Sequence, residues 1–226
     1  AIIFSDCDYS EMLQTTVRSS FANQGQICLC GSRIFIEASI YQKFKTDFIT
    51  AVSKLKVGNP FDSTSDLGAL VSKPHLEKVR SYIDNAPQYG GKVIFGGNSV
   101  SVHNFESGYY LEPTIIEVKD NSCLLNQEEI FGPVVTIMPF NNENEVLAMA
   151  NDSSYGLSAT LWTNDLKKTM RISRQIHTGI VWVNTWLLRD LRTPFGGVKN
   201  SGVGREGGFE ALRFFTEPKN ICIKYN

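Results

Sequence analysis

Two hydrophobic periodicities take turns along this chain, and their order predicts the fold. The opening residues AIIF form a short apolar run that reads as a buried strand, and DYSEMLQTTVRSSFANQG after it reads as a helix. Asp8 is placed to cap that helix with Glu11 three residues on, and Gly25 supplies a stop. RIFIE is a strand by length and β-branching. SIYQKFKTDFITAVSKLK then has apolar positions at helical spacing, with Ser39 as its cap. GNPFDSTSDLG is a loop by its Gly, Pro, Asn, Asp and Ser content. A helix near KPHLEKVRSYIDNA, strands near KVIFG and YLEPTIIEV, and a loop through DNSCLLNQEEIFG follow.

The second half keeps the alternation: strand VVTIMPF, helix ENEVLAMAND, strand SATLWTN, helix DLKKTMRISRQI and strand GIVWVN. Strands alternating with helices predict an α/β fold, an open and largely parallel twisted sheet with flanking helices. In such sheets ligands gather where strands end and loops begin. The tail holds a helix, GFEALRFFTE, and a last strand, NICIKY, whose alternation leaves one apolar face. A lone terminal strand needs a sheet to join, so it is expected to pair with a neighbouring subunit or with a segment outside this chain.

Composition narrows the class. A hydrophobic share of 42% over 226 residues is that of an ordinary globular protein with a real core. Lys and Arg number 22 against 23 Asp and Glu, a net charge of −1, so no positive field drives binding to phosphate backbones and nucleic acid is not an expected partner. No apolar run approaches the roughly 20 residues needed to span a bilayer, so no membrane partner is expected either. No signal-peptide series is present, and the five cysteines do not suggest a disulfide framework. A reducing, cytoplasmic setting is expected. The chain lacks an initiator Met and begins as though inside a strand, which suggests the C-terminal part of something longer.

Candidate chemistry concentrates in FANQGQICLCGSRIF, where Cys28 and Cys30 stand one residue apart. A metal clip needs about four ligands, usually two close pairs, and His75, His103 and His177 are solitary, so no metal site is expected. A thioredoxin-type pair has two intervening residues; here there is one. Gly202, Gly204 and Gly207 in SGVGREGG have the dinucleotide-fingerprint spacing, but only 19 residues follow Gly207, too few for the βαβ unit, and helix-entry glycines are the better reading. Two readings of the cysteine loop remain. One is a buried structural thiol. The other is a nucleophile, activated where a glycine-containing turn aims backbone N–H groups at one sulfur.

Several separate stretches together resemble the aldehyde dehydrogenase superfamily. FANQGQICLCGSRIF resembles its cysteine active-site motif, NQEEIFGPV its second hallmark, PFGGVKNSGVGREGG its third, and KVGNPFD a fourth, weaker one. The resemblance implies that Cys28 attacks the aldehyde carbon, that hydride passes to a nicotinamide dinucleotide, and that water cleaves the resulting thioester. Cys30 is then a neighbour. Glu129 matches the carboxylate that hydrogen-bonds the nicotinamide ribose, and Phe131 the ring packed near it. NAD is the implied cofactor; NADP stays open beside it, because the residues that read the ribose 2′ position fall before Ala1. The general-base glutamate and the oxyanion asparagine fall there as well, so this chain alone is not expected to turn over aldehyde. The match implies a catalytic domain over 1–203, a helix and oligomerisation strand over 204–226, and a homodimer or homotetramer in the longer protein.

The loop WLLRDLRTPFGG matches the lining of the family's substrate tunnel, with Arg189 and Phe195 at substrate-facing positions. Arg binds carboxylates through a planar fork, so Arg189 implies an aldehyde with a carboxylate at its far end. The wording of the loop is most similar to the branch acting on 2-aminomuconic and 2-hydroxymuconic semialdehydes. Two alternatives stay open: a relative for a larger apolar aldehyde such as retinal, and a non-catalytic, crystallin-like structural protein. A solvated Arg189, or one paired with Asp190, is the bland reading. Cys28 is expected at the bottom of a tunnel, with Glu129 and Arg189 lining opposite approaches.

Overall fold

The computed structural model describes residues 1–226. The strands are β1 (Ile2–Ile3), β2 (Arg33–Glu37), β3 (Gly91–Phe95), β4 (Ser99–Val100), β5 (Tyr110–Leu111), β6 (Thr114–Val118), β7 (Val134–Phe140), β8 (Tyr155–Gly156), β9 (Ser158–Trp162), β10 (Ile180–Val183) and β11 (Val198–Lys199). The helices are α1 (Tyr9–Phe21), α2 (Tyr41–Val52), α3 (Lys73–Asp84), α4 (Leu124–Gln127), α5 (Glu143–Asn151), α6 (Leu166–Gln175) and α7 (Gly208–Phe215). One seven-stranded sheet has the order β10-β9-β1-β2-β7-β6-β3. All its pairings are parallel except that of the edge strand β3 with β6, so the expected largely parallel sheet forms. The remaining short strands make two ribbons, β4 with β5 and β8 with β11.

The period-two alternation of the strands decides the layers. On β2, Ile34 and Ile36 join the core under α1 and α2, with Phe44, Phe48 and Val52 of α2 fully buried there. Phe35 points the other way, into a core closed by Val146 of α5 and Ile172 of α6. Val134 and Ile116 extend that second face to Val79 and Ile83 of α3. The rings of Phe44 and Phe48 stack at 5.0 Å. Each such buried aromatic contributes about 1.5–3 kcal/mol by leaving water. β1 is only two residues long, yet Ile2 and Ile3 are 1% and 0% exposed because the strand lies between β9 and β2.

One local signal sets a boundary as expected. The Asp8 side chain accepts from the Glu11 N–H at 3.2 Å and caps α1. The structure departs from the pattern elsewhere. α1 ends at Phe21, not Gly25, because Asn23, Gln24 and Gly25 turn left-handed with φ of 49°, 56° and 69°. Ser39 does not cap α2: it lies inside a 3-10 turn over Ala38–Ile40, and Ile40 occupies the cap position with no side-chain bond. The run YLEPTIIEV splits into β5 and β6 around Pro113, which has no N–H to give a ladder. The loop before Glu129 contains the one-turn helix α4.

The expected last strand over NICIKY is not a strand in this chain. Residues 217–226 have no regular structure, and Ile221, Ile223 and Tyr225 are 70%, 67% and 85% exposed. Its apolar face finds no sheet edge within the chain to join. Of the three glycines of SGVGREGG expected at a helix entry, only Gly207 stands there: it occupies the N-cap position of α7 at φ 89°, and a Cβ on it would meet the Thr193 carbonyl oxygen at 2.5 Å, whereas Gly202 and Gly204 lie in the turn before it.

Candidate active site

The site is assembled from loops that enter the sheet at the amino ends of its parallel strands. Cys28 precedes β2, Glu129 and Phe131 precede β7, and Thr178 precedes β10. The left-handed turn at Asn23–Gly25 throws the chain away from the axis of α1 and brings it against the loop before β7. Gly25 sits so close to Gly132 that a Cβ on it would lie 2.0 Å from the Gly132 carbonyl oxygen. Only glycine satisfies both the φ and the approach.

Cys28 is exposed, while Cys30 is half-buried with its Sγ–H donating to the Ala22 carbonyl at 3.9 Å. Burial pushes the Cys30 thiol up to about 11, so at neutral pH it stays protonated. Both thiols border the cavities of this site, and Cys28 is the exposed one. The N–H groups of Ile27, Cys28 and Leu29 donate to no acceptor in the chain. They are available to an oxyanion formed beside the sulfur. α1 points its C-terminus at this loop, which disfavours an anion, so these N–H groups and not the helix must support a thiolate.

Cys28, Glu129 and Phe131 line one cavity together with Gly25 and Gly132. Cys28 and Glu129 also line a wider, polar cleft of about 350 Å³ walled by Arg33, Thr178 and Ser201. Both Glu129 and Phe131 flank Ile130, which is 7% exposed and anchors the loop in the core. The Glu129 carboxylate is exposed and engages no side chain, and Phe131 is 37% exposed with φ of +60°. Three of the seven non-glycine residues with positive φ, Asn23, Gln24 and Phe131, sit on the two loops that build this cavity. Such conformations cost about 1–3 kcal/mol each and concentrate where function needs a fixed backbone.

The substrate-loop residues lie on a separate side. The Trp186 Nε1–H donates to the Leu29 carbonyl at 2.9 Å and ties this loop to the residue after Cys28. Phe195 packs with Leu29, Trp182 and Trp186 in a small apolar cluster. Arg189 stacks over the Phe195 ring at 4.3 Å and pairs with Glu206 at 3.2 Å. Asp190 pairs instead with Arg192, whose guanidinium holds the Asp190 carboxyl below the usual range. The expected tunnel with Arg189 opposite Glu129 is not formed: Arg189 lines neither cavity that contains Cys28, and Cys28 lies on an open cleft.

Sequence reading missed His75, Lys78 and Tyr82, which bind the loop carrying Glu129 and Phe131 from α3. Their helical spacing beside the buried Val79 and Ile83 was the available signal.

The aldehyde dehydrogenase family model matches residues 1–221. This chain belongs to the aldehyde dehydrogenase family. It is 49% identical over 230 residues to the 2-aminomuconic semialdehyde dehydrogenase of Bos taurus, covering 100% of this chain and 47% of that protein. It is 43% identical over 225 residues to the 2-hydroxymuconic semialdehyde dehydrogenase of Pseudomonas putida, covering 99% and 46%. The betaine aldehyde dehydrogenase of Staphylococcus aureus, solved in complex with NAD+, superposes with a TM-score of 0.91 at 37% identity, over 95% of this chain and 42% of that one. The chain thus spans about half the length of the relatives it matches. No helix in it is long and apolar enough to cross a membrane.

Proposed function

We propose that this aldehyde dehydrogenase chain supplies the cysteine-bearing part of an NAD-dependent enzyme that oxidises a carboxylate-bearing semialdehyde, of the 2-aminomuconic type, to the acid. The observation that carries the reading is the shared cavity of an exposed Cys28 with Glu129 and Phe131. The Cys28 thiolate attacks the aldehyde carbon, and the free N–H groups of Cys28 and Leu29 receive the developing oxyanion. The residues present fit the coenzyme: an unengaged Glu129 carboxylate is an acceptor for paired ribose hydroxyls, and the exposed Phe131 ring offers a packing face. NAD, when bound, supplies the acceptor for the hydride that leaves the cysteine adduct. Water then cleaves the Cys28 thioester and releases the acid. Relatives named for muconic semialdehydes support this substrate over a larger apolar aldehyde or a structural role.

Arg189 is the proposed receiver of the far carboxylate. Its Nη2 engages Glu206 and its face lies on Phe195, so its remaining N–H edge is free to form the fork. The cytoplasm is the proposed setting, since all five cysteines are free. Residues 204–226 are the proposed oligomerisation segment of a homodimer or homotetramer, beyond a catalytic domain over 1–203. The test of the substrate assignment is Arg189→Ala in the intact enzyme, assayed on a muconic-type semialdehyde and on a simple aliphatic aldehyde. Loss of a charge-assisted hydrogen bond, about 1.5–3 kcal/mol, lowers kcat/KM roughly 10- to 100-fold on the first alone. An equal loss on both removes the carboxylate reading.

A further inference from the structure

The polar stripe of α3 gives a role to residues that the reaction itself does not use. His75, Lys78 and Tyr82 recur at helical spacing, with Val79 among them. The Tyr82 hydroxyl donates to the Glu128 carboxylate. Lys78 Nζ donates to the Glu129 carbonyl at 3.0 Å, and His75 Nε2 lies 2.6 Å from the Phe131 carbonyl. A carbonyl only accepts, so that ring nitrogen carries the hydrogen. Val79 packs on Gly132, where an added Cβ would meet its Cγ2 at 2.8 Å. His75, Lys78 and Tyr82 thus meet Phe131, Glu129 and Glu128 in antiparallel order, and Val79 packs on Gly132 at the end of the same loop.

Those contacts act on backbone groups, which is what makes them positional. With Ile130 anchored in the core, the carbonyls on either side of it are each taken by a side chain of α3. The backbone between them then has one orientation, which turns Glu129 and Phe131 toward the cavity of Cys28. Phe131 at φ +60° is in a conformation that a residue with a side chain seldom holds without such support. Gly132 also presses on Gly25, so the set of α3 reaches the turn that carries Cys28. Burial and the bond to Glu128 push the Tyr82 phenol up to about 12, keeping it a donor across the neutral range.

We propose that His75 and Lys78 are positioning residues: they hold the 128–132 loop, and so Glu129 and Phe131, in the register that meets the coenzyme. This rests on the reading of Glu129 and Phe131 given above. The test compares His75→Leu, Lys78→Met, His75→Gln and Glu129→Gln in the intact enzyme, by amide hydrogen exchange of residues 128–132, NAD affinity, and kcat at saturating NAD. His75→Leu and Lys78→Met should each speed exchange in the loop and weaken NAD binding roughly three- to tenfold, the worth of one hydrogen bond, with kcat at saturation nearly unchanged. His75→Gln, which still donates an N–H, should restore both. Wild-type exchange in both loss variants overturns the proposal. So does weakened NAD binding with unchanged exchange, which would make the two side chains direct coenzyme contacts, and so does a Gln variant no better than Leu. Glu129→Gln reports separately on the coenzyme reading: unaltered NAD binding there removes that reading while the exchange data still judge the clamp.

Discussion

Gly25→Ala probes the contact on which the site's assembly depends. Gly25 has φ +69°, and a Cβ on it would stand 2.0 Å from the Gly132 oxygen and 2.5 Å from the Gly132 carbon. Ordinary contact for carbon is about 3.5 Å, so the cysteine turn and the 128–132 loop must part by roughly 1.5 Å. The left-handed conformation alone costs an alanine about 1–2 kcal/mol. Overpacking two backbones adds about 1–3 kcal/mol. Gly90→Ala separates the two terms, because Gly90 has φ +80° with nothing within 4 Å of an added Cβ. Urea unfolding should therefore show Gly25→Ala less stable than Gly90→Ala by about 1–3 kcal/mol. In the intact enzyme a 1 Å misplacement of reacting groups costs on the order of a hundredfold, and kcat/KM should fall by about that factor for Gly25→Ala and stay near wild type for Gly90→Ala. Equal stability losses with undiminished kcat/KM would refute the close approach as the element that sets the site.

Two further outcomes follow from the same coordinates. Burial pushes the Glu117 carboxyl up, but hydrogen bonds from Lys45 and Tyr41, both at 2.7 Å, outweigh it and hold the group below its ordinary 4.5. A carboxyl lowered by folding stabilises the native state above the unfolded value, and the contribution disappears as pH falls through the folded one. Acid unfolding below about pH 4.5 should thus be shallower in Glu117→Gln than in wild type, and identical slopes would contradict the pairing. Iodoacetamide at neutral pH, followed by peptide mass spectrometry, should modify Cys28 ahead of Cys7 and Cys30, whose thiols burial pushes up to about 11. Labelling of Cys30 as fast as Cys28 would contradict their distinction.

Much of the architecture was legible from local pattern. The alternation of strand and helix runs predicted the parallel sheet, Asp8 marked the start of α1, and the residue types around Cys28 pointed to one sulfur between a helix and a strand. These features depend on neighbours a few positions apart, so the sequence holds the whole cause. The misread cap at Ser39 shows the limit even there, because a 3-10 turn displaced the hydroxyl by one position from where a cap must stand.

By itself, then, the sequence determined most of the helices and the strands of the main sheet and the family to which the chain belongs, and it named the residues now proposed to carry chemistry. Only the tertiary structure decided which loops meet. The strand order placed the Cys28 turn beside the 128–132 loop, and α3 crossed a long stretch of chain to take the carbonyls of Glu129 and Phe131. The same structure left Arg189 against Glu206 and Phe195, outside the cleft of Cys28. A carbonyl oxygen or an apolar strand face has no partner written beside it in the chain. Its partner is whichever group the closed fold brings within hydrogen-bonding or packing distance, and for the apolar face of NICIKY this chain brings none.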